Sequence, residues 1–197
     1  MLCKMETVFS SSLMYKELTM LRIGFSEDIH KKEEGRKLVL AGVEFPGEIG
    51  LAGHSDADVV CHAVAESILG ALALGDLGTH FPDNDPQYKN ISSLILLDKV
   101  VEMMKKEGFK VSNIDVQIAG KSPRLAGKIL EMRESLAKHL KTELVNVSIK
   151  ACSYNGVGPL GSMKIFCSAD NASYHGLSMY VAFSSAQALN LSVTLAS

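Results

Sequence analysis

Segments with the apolar spacing of an α-helix alternate along this chain with segments that show the apolar and polar alternation of a β-strand. Helical spacing begins near Asp56, again at about Ser92, and once more after Pro123. The strand-like segments are residues 21–25, 37–43, 114–119, 145–151 and 180–183. Strands separated by helices of this length favour an α+β fold, an α/β sandwich in which helices pack on a sheet.

Local signals predict where the helices begin and end. Ser55 is a good N-cap for the first helix, with Asp58 at its N3 position, and Gly75 is placed to end it. The second helix is predicted over residues 92–107. The third is predicted to begin directly after Pro123, because proline is favoured in a first helical turn.

The first two strands and the C-terminal segment differ in charge. Residues 30–36 are mostly charged and suit a solvated loop, so 21–25 and 37–43 are predicted to pair as a β-ribbon. Residues 171–197 contain no Asp, Glu, Lys or Arg. Hydroxyl and amide side chains interrupt that apolar tail, so a strand buried at a subunit interface is favoured over membrane insertion.

Length and composition bound the class of protein. A chain of 197 residues corresponds to one domain, predicted over 21–197, with residues 1–20 as an N-terminal extension. Twenty Lys and Arg against 22 Asp and Glu give a net charge of −2 without a basic stripe, so nucleic acid is not an expected partner. The four cysteines form no CxxC pair, which indicates a reducing compartment. No apolar run is long enough for a membrane span, so no membrane partner is expected.

Three residues could hold a metal ion. Asp28 and His30 are two residues apart, so in an extended segment both side chains reach the same side, although a surface coincidence would also explain them. His62 lies in the first predicted helix, where a core histidine is the ordinary explanation. Two histidines and a carboxylate with an open fourth position are nevertheless the ligand set of catalytic zinc sites.

The segment from His54 to Asp58 combines a histidine, a hydroxyl and two carboxylates at a predicted helix start. Free backbone N–H groups at such a position favour a phosphate. Capping alone would explain Ser55 and the two acids, but it gives no reason for His54 or for Gly53 before it.

Two loops could bind other parts of a ligand. Residues 75–86 contain two glycines, two prolines and three aspartates, which fits either a plain Ω-loop or a loop that binds hydroxyl groups. Residues 120–124, between a predicted strand and a helix, offer two cations and backbone amides to a phosphate or nucleotide.

In this order, the motifs resemble the 2-C-methyl-D-erythritol 2,4-cyclodiphosphate synthase family of the non-mevalonate isoprenoid pathway. The resemblance is carried by residues 28–30, 53–59 with His62, and 75–86, and it extends from about Leu21 to Gly161. Family members are homotrimers with sites between subunits. The resemblance therefore implies a mixed sheet with helices on one face, and three such sheets turned toward a three-fold axis.

The resemblance also implies the chemistry. An Asp-x-His pair and a helical histidine hold a divalent ion, usually zinc, which implies that Asp28, His30 and His62 are metal ligands. The 2-phosphate of a cytidine diphosphate ester of methylerythritol attacks the β-phosphorus, CMP leaves and a cyclic diphosphate forms. His54 matches a histidine that stabilises the transition state, and Ser153 keeps the hydroxyl of a catalytic threonine. The implied substrate-binding residues are Asp28, His30, His54, Ser55, Asp76, Leu77, Gly78, Phe81, Pro82, Asp83, Asn84, Asp85, Gly120, Lys121, Ser122, Pro123, Arg124, Leu125, Ala126, Cys152, Ser153 and Asn155.

The chain departs from the family pattern near its nucleotide-binding segments. Asn155 replaces a glutamate that helps to hold a second ion, Mg²⁺ or Mn²⁺, and a neutral amide oxygen is a poorer ligand for a hard cation. Gly156 and Ser162 replace a lysine and an arginine, and residues 120–122 replace Ala-Gln-x. These departures weaken the expectation of a second ion.

They also leave open a non-catalytic trimeric relative that binds metal and isoprenoid-phosphate or nucleotide ligands. An unrelated zinc phosphoesterase is a poorer alternative, because it leaves the match over 75–86 unexplained. Glu6 and Glu17 do not suit a transit peptide that is poor in acidic residues, so the cytoplasm is favoured over a plastid.

Overall fold

The structure, a computed structural model, describes residues 21–120, 122–153, 155, 157 and the backbone of 176–187. The predicted N-terminal extension, residues 1–20, lies outside the described residues. The described strands are β1 (Leu21–Glu33), β2 (Leu38–Leu40), β3 (Val43–Phe45), β4 (Gly50–Leu51), β5 (Phe109–Ala119), β6 (Val147–Cys152) and β7 (Gly176–Gln187). The described helices are α1 (Val59–Leu72), α2 (Leu77–His80), α3 (Ser93–Lys106) and α4 (Ile129–Leu140), with 3₁₀ turns at Pro86–Tyr88 and Leu144–Asn146.

Five strands form one sheet in the order β4-β1-β7-β5-β6. β1 pairs antiparallel with β4 and β7, and β5 pairs antiparallel with β7. β5 and β6 are parallel and are connected through α4, so the sheet is mixed, as predicted. β7 includes the predicted strand 180–183 and is paired on both of its edges within this chain.

The predicted ribbon between 21–25 and 37–43 is wrong. β1 continues through the first charged residues to Glu33, and its side chains alternate in exposure, so these charges point to solvent without ending the strand. β2 and β3 instead form a separate hairpin, with Leu38 opposite Phe45.

The main core lies between the helices and one face of the sheet. α1 packs on β1 and contributes buried Val64 and Ile68. The approach is close at Gly24, where an added Cβ would lie 1.8 Å from the backbone oxygen of Ser67. The opposite face of β1 exposes a row of apolar side chains, namely Leu21, Ile23, Phe25 and Ile29. The helices therefore lie on one face, as predicted.

The N-cap predicted for the first helix is wrong. α1 begins at Val59, and Asp58 is its N-cap, because the Asp58 carboxylate accepts hydrogen bonds from the backbone N–H groups of Val60 and Cys61. Ser55 Oγ accepts instead from the backbone N–H of Ala57 at 3.1 Å. Ala57 has a φ of 58°, a left-handed conformation that keeps the preceding residues out of the helix.

Two further helix boundaries differ from the prediction. α1 ends at Leu72 rather than at Gly75, because Ala73 takes the left-handed conformation with a φ of 57°. α4 begins at Ile129 rather than after Pro123, because a separate turn intervenes, closed by a 2.8 Å bond from Lys128 N–H to the Leu125 carbonyl. The second helix agrees with its prediction to within one residue at each end.

The hairpin of β2 and β3 is attached to α1 by the fully buried Asp58 carboxylate. Its Oδ1 accepts the backbone N–H of Ala41 at 2.9 Å, and its Oδ2 accepts that of Gly42 at 2.6 Å. Ala41 and Gly42 form the hairpin turn and both have positive φ. One side chain thus caps a helix and orients a hairpin.

Within the described ranges, no helix combines the length and apolar character that a membrane span requires.

Candidate active site

Asp28, His30 and His62 lie together, with ligand atoms all within 4.8 Å of one another. Oδ2 of Asp28 is 3.1 Å from Nε2 of His30 and 3.2 Å from Nδ1 of His62. Asp28 and His30 belong to β1, and their side chains lie on one side of that strand. His62 belongs to α1, which packs on β1. The structure thus brings together the three residues predicted as ligands.

Each imidazole has one nitrogen directed at Asp28 and the other bonded elsewhere. Nδ1 of His30 is 2.5 Å from the Ala52 carbonyl, to which it donates. Nε2 of His62 lies 3.0 Å from Ser55 Oγ and 2.9 Å from Ser93 Oγ. Outer partners of this kind orient histidines that ligate metals.

The cluster is partly buried, and its groups shift one another's pKa. Burial raises the pKa of Asp28, but hydrogen bonds from His30 and His62 outweigh this, so the pKa lies well below its usual range. Burial lowers the pKa of His30, but the Asp28 hydrogen bond and charge outweigh it, so the net pKa is raised. The Asp28 carboxylate is therefore kept ionised beside the two imidazoles, which is the state that a metal ligand needs.

A cavity of about 260 Å³ opens beside the cluster. Its lining includes nine of the residues singled out from the sequence: His30, Gly53, His54, Ser55, His62, Leu77, Gly78, Phe81 and Asp83. Nε2 of His54 is buried and has no hydrogen-bond partner among the described residues. An unpaired buried nitrogen is costly unless a ligand bonds to it, so His54 is placed to contact a bound molecule.

The backbone around His54 is fixed at three successive carbonyls. Arg36 donates to the carbonyls of Gly53, at 2.9 Å, and of Ser55, at 2.5 Å. The His54 carbonyl accepts from the backbone N–H of Asn90 at 2.8 Å. Gly53 is needed because an added Cβ would lie 2.9 Å from Ala57 Cβ and 3.2 Å from the His30 ring. The glycine that capping could not explain is therefore required by the close approach of Ala57 and His30.

The three aspartates of loop 75–86 have different positions: two cap turns and one lines the cavity. Asp76 caps α2, since its Oδ1 accepts both the N–H and the hydroxyl of Thr79 at 2.7 Å. Asp85 caps the following 3₁₀ turn by accepting from Gln87 N–H at 3.0 Å. Asp83 lines the cavity, while Pro82 and Asn84 are exposed. Asp76 and Asp85 thus stabilise turns within the loop. Other residues of the same loop, Asp83 among them, line the cavity.

The other predicted segments lie at a different place, the end of the parallel pair β5 and β6. Ala119 is opposite Cys152, and Gly120 N–H donates to the Cys152 carbonyl at 3.0 Å. Pro123 and Leu125 are buried, whereas Arg124, Ala126, Ser153 and Asn155 are exposed. Lys121 lies outside the described residues. None of these described residues lines the cavity beside His54.

Sequence reasoning missed four contributors. They are Arg36, Asp56 and Ser93, which orient the His54 and His62 segments, and Glu48, whose carboxylate accepts from Ser122 Oγ at 2.8 Å. The bonds in question span 17 or more positions in the sequence, up to 74 for the last pair. Asp56 belongs to the predicted capping segment, but no local pattern indicates Ser93 as its partner.

A mixed sheet with helices on one face, and a carboxylate–imidazole cluster beside a cavity, define an α+β protein with a candidate metal site. The YgbB family model matches residues 21–171. The chain belongs to this family. The match continues past Gly161, where the sequence resemblance was expected to weaken.

Named relatives agree with the family assignment. A protein of Brachyspira hyodysenteriae named 2-C-methyl-D-erythritol 2,4-cyclodiphosphate synthase is 52% identical over 141 residues, covering 72% of this chain and 89% of that protein. The relative of Desulfitobacterium hafniense strain DCB-2 with the same name is 51% identical over 139 residues, covering 71% of this chain and 88% of that protein. The family expected from the sequence motifs is confirmed.

A solved structure agrees with the fold. The bifunctional IspDF from Campylobacter jejuni superimposes with a TM-score of 0.76 at 30% identity, covering 86% of this chain. The chain spans only 43% of that bifunctional protein.

Proposed function

We propose that this protein converts 4-diphosphocytidyl-2-C-methyl-D-erythritol 2-phosphate to 2-C-methyl-D-erythritol 2,4-cyclodiphosphate and CMP. The observation that carries the proposal is the position of the unpaired His54 nitrogen, in the same cavity as His30 and His62. A phosphoryl group in that cavity would meet a buried donor and a metal cluster together. Relatives named for this reaction, about half identical to the chain, support it.

The residues present fit a divalent ion. Two imidazoles and one carboxylate form the donor set, and both outer imidazole nitrogens already have oxygen partners. We propose Zn²⁺, held by Asp28, His30 and His62. When bound, such an ion supplies Lewis-acid stabilisation of charge on phosphoryl oxygens.

The proposed reaction is an intramolecular displacement at phosphorus. An oxygen of the 2-phosphate bonds to the β-phosphorus, and the bond from the β-phosphorus to the oxygen bridging to the α-phosphorus breaks. CMP leaves with that oxygen and its electron pair. His54 stabilises negative charge on a phosphoryl oxygen through Nε2, and its fixed backbone keeps this donor in place. Leu77, Gly78 and Phe81 line the same cavity and are proposed to contact the methylerythritol.

The nucleotide is proposed to bind along residues 120–126 and to Cys152, Ser153 and Asn155, with Ser153 as a second stabiliser of the transition state. The described residues among these do not line the His54 cavity of their own chain. We therefore propose a homotrimer in which the end of β5 and β6 from one subunit completes the cavity of the next. The exposed apolar row on β1 supplies a surface that such an assembly would cover.

Asn155 makes a second ion, Mg²⁺ or Mn²⁺, a weaker proposal than Zn²⁺, because an amide oxygen carries no charge. A non-catalytic relative is not favoured by relatives that are named as synthases. Because these relatives are bacterial, we propose a cytoplasmic location.

The test is the release of CMP together with the cyclic product from the diphosphocytidyl substrate, using zinc-loaded protein. His62→Ala should reduce turnover by about a hundredfold or more, because it removes one of three ligands. His139→Ala is the matched control, since His139 bonds to Asp98 between α3 and α4 and does not line the cavity.

Two outcomes would contradict the proposal. CMP released with an open-chain product would indicate hydrolysis. Tight zinc binding without CMP release would indicate the non-catalytic relative.

A further inference from the structure

A chain of hydrogen bonds runs from His62 to a carboxylate on another segment. Nε2 of His62 lies 2.9 Å from Ser93 Oγ, and Ser93 Oγ donates to Oδ1 of Asp56. The same Asp56 oxygen accepts the backbone N–H of Ser93 at 3.1 Å. Ser93 is the first residue of α3 and is only 1% exposed, so water does not compete for its hydroxyl.

Counting protons along this chain fixes which His62 nitrogen carries hydrogen. Ser93 Oγ has one proton and donates it to the Asp56 carboxylate, which can only accept. Toward His62, Ser93 Oγ is therefore an acceptor, and Nε2 must be the donor. Ser55 Oγ accepts from Ala57 N–H and lies 3.0 Å from Nε2 and 3.2 Å from Ser93 Oγ. Its own proton fits the second lone pair of Ser93 Oγ, which leaves Nε2 as a donor.

The consequence falls on the other nitrogen. With a proton held on Nε2, Nδ1 is the nitrogen that can offer a lone pair to an ion beside Asp28 and His30. The Nδ1 proton that bonds to Asp28 in the metal-free protein would leave when the ion binds. The two histidines are thus fixed in different ways. His30 depends on the Ala52 backbone carbonyl, which substitution cannot remove, whereas His62 depends on side chains that can be changed one at a time.

We propose that Ser93 and Asp56 are positioning residues for metal binding, which fix His62 in the Nε2–H tautomer and aim Nδ1 at the ion. This inference rests on the proposed metal site and adds two residues that act through His62 rather than on the substrate. Outer partners of metal-ligating histidines change metal affinity by about 10–100-fold when they are removed.

The test measures Zn²⁺ affinity by competition with a chromophoric chelator, using the full chain without substrate. Ser93→Ala removes the hydroxyl but keeps the backbone N–H that donates to Asp56, so the start of α3 keeps that bond. Affinity should fall about 10–100-fold. Ser92→Ala is the matched control, because Ser92 precedes it and makes no side-chain capping bond. The control should bind Zn²⁺ as the wild type does.

Asp56→Ala tests the same series of hydrogen bonds by removing the carboxylate that accepts from Ser93 Oγ. If the two residues act as a unit, the double variant should lose little more affinity than the more affected single variant. Folded Ser93→Ala protein that binds Zn²⁺ within twofold of the wild type would overturn the proposal.

A direct measurement does not depend on any variant. In the metal-free wild type, the long-range ¹H–¹⁵N spectrum should show His62 protonated at Nε2, and a proton on Nδ1 alone would overturn the proposal. If the wild type binds no Zn²⁺, the metal site fails and this inference fails with it. If the wild type binds and Ser93→Ala binds equally, only the inference fails.

Discussion

The two ends of the candidate site differ in how much of their geometry one chain supplies. At the metal end, Asp28, His30 and His62 bond to one another, and the outer histidine nitrogens have partners within the chain. At the nucleotide end, Ser153 and Asn155 are exposed at the end of a parallel strand pair. The proposed metal end is therefore organised within one chain, whereas the proposed nucleotide end is exposed in that chain.

The largest expected effect lies at the metal end. His54→Ala should lower kcat by about 10²–10³-fold, as the loss of one buried transition-state donor does. Zn²⁺ affinity should be unchanged, because His54 is not among the three clustered ligands. Steady-state kinetics with the zinc-loaded variant checks the first part and chelator competition the second. If kcat remained within fivefold of the wild type, His54 would not stabilise the transition state.

The metal end was also the more predictable of the two from sequence. Asp28 and His30 share a strand face by period alone, and the helix that carries His62 has clear apolar spacing. What local patterns could not give is the partner of each group. The sequence predicts Ser55 as the N-cap with Asp58 at N3, but the left-handed Ala57 moves the helix start and makes Asp58 the cap. Ser93 and Arg36 act through contacts that only the packing of α3 and the β2–β3 hairpin creates.

The second effect concerns the scaffold that holds the metal end. Asp58→Ala should destabilise the fold by about 2–4 kcal/mol, because it removes a helix cap and leaves the buried N–H of Ala41 unpaired. The free energy of unfolding from urea titration measures this. Ser92→Ala should cost much less, since Ser92 makes no side-chain capping bond. Equal losses in the two variants would show that the Asp58 bonds to the hairpin do not matter.

A third effect is pH dependence in the metal-free protein. The pKa of His30 is raised in the folded state, so its contribution to stability is fully present below about pH 6.5 and is lost as pH rises through the folded pKa. The lowered pKa of Asp28 acts only in acid, below its unfolded value of 3.8, so it does not change between pH 6 and 8. Urea midpoints of the wild type should fall from pH 6 to 8 by more than those of His30→Gln. Parallel curves would show that the Asp28–His30 pair is not formed without metal.

The smallest effect tests the nucleotide end. Ser122 Oγ donates to Glu48 at 2.8 Å, and this bond links the predicted nucleotide segment to the loop before β4. Ser122→Ala should raise KM for the diphosphocytidyl substrate by about 2–10-fold, the value of one hydrogen bond, with kcat little changed. Glu48→Gln should have a smaller effect, because its amide oxygen can still accept. A fall in kcat with unchanged KM would mean that this segment acts on the reacting phosphates, and the contrast between the two ends would then disappear.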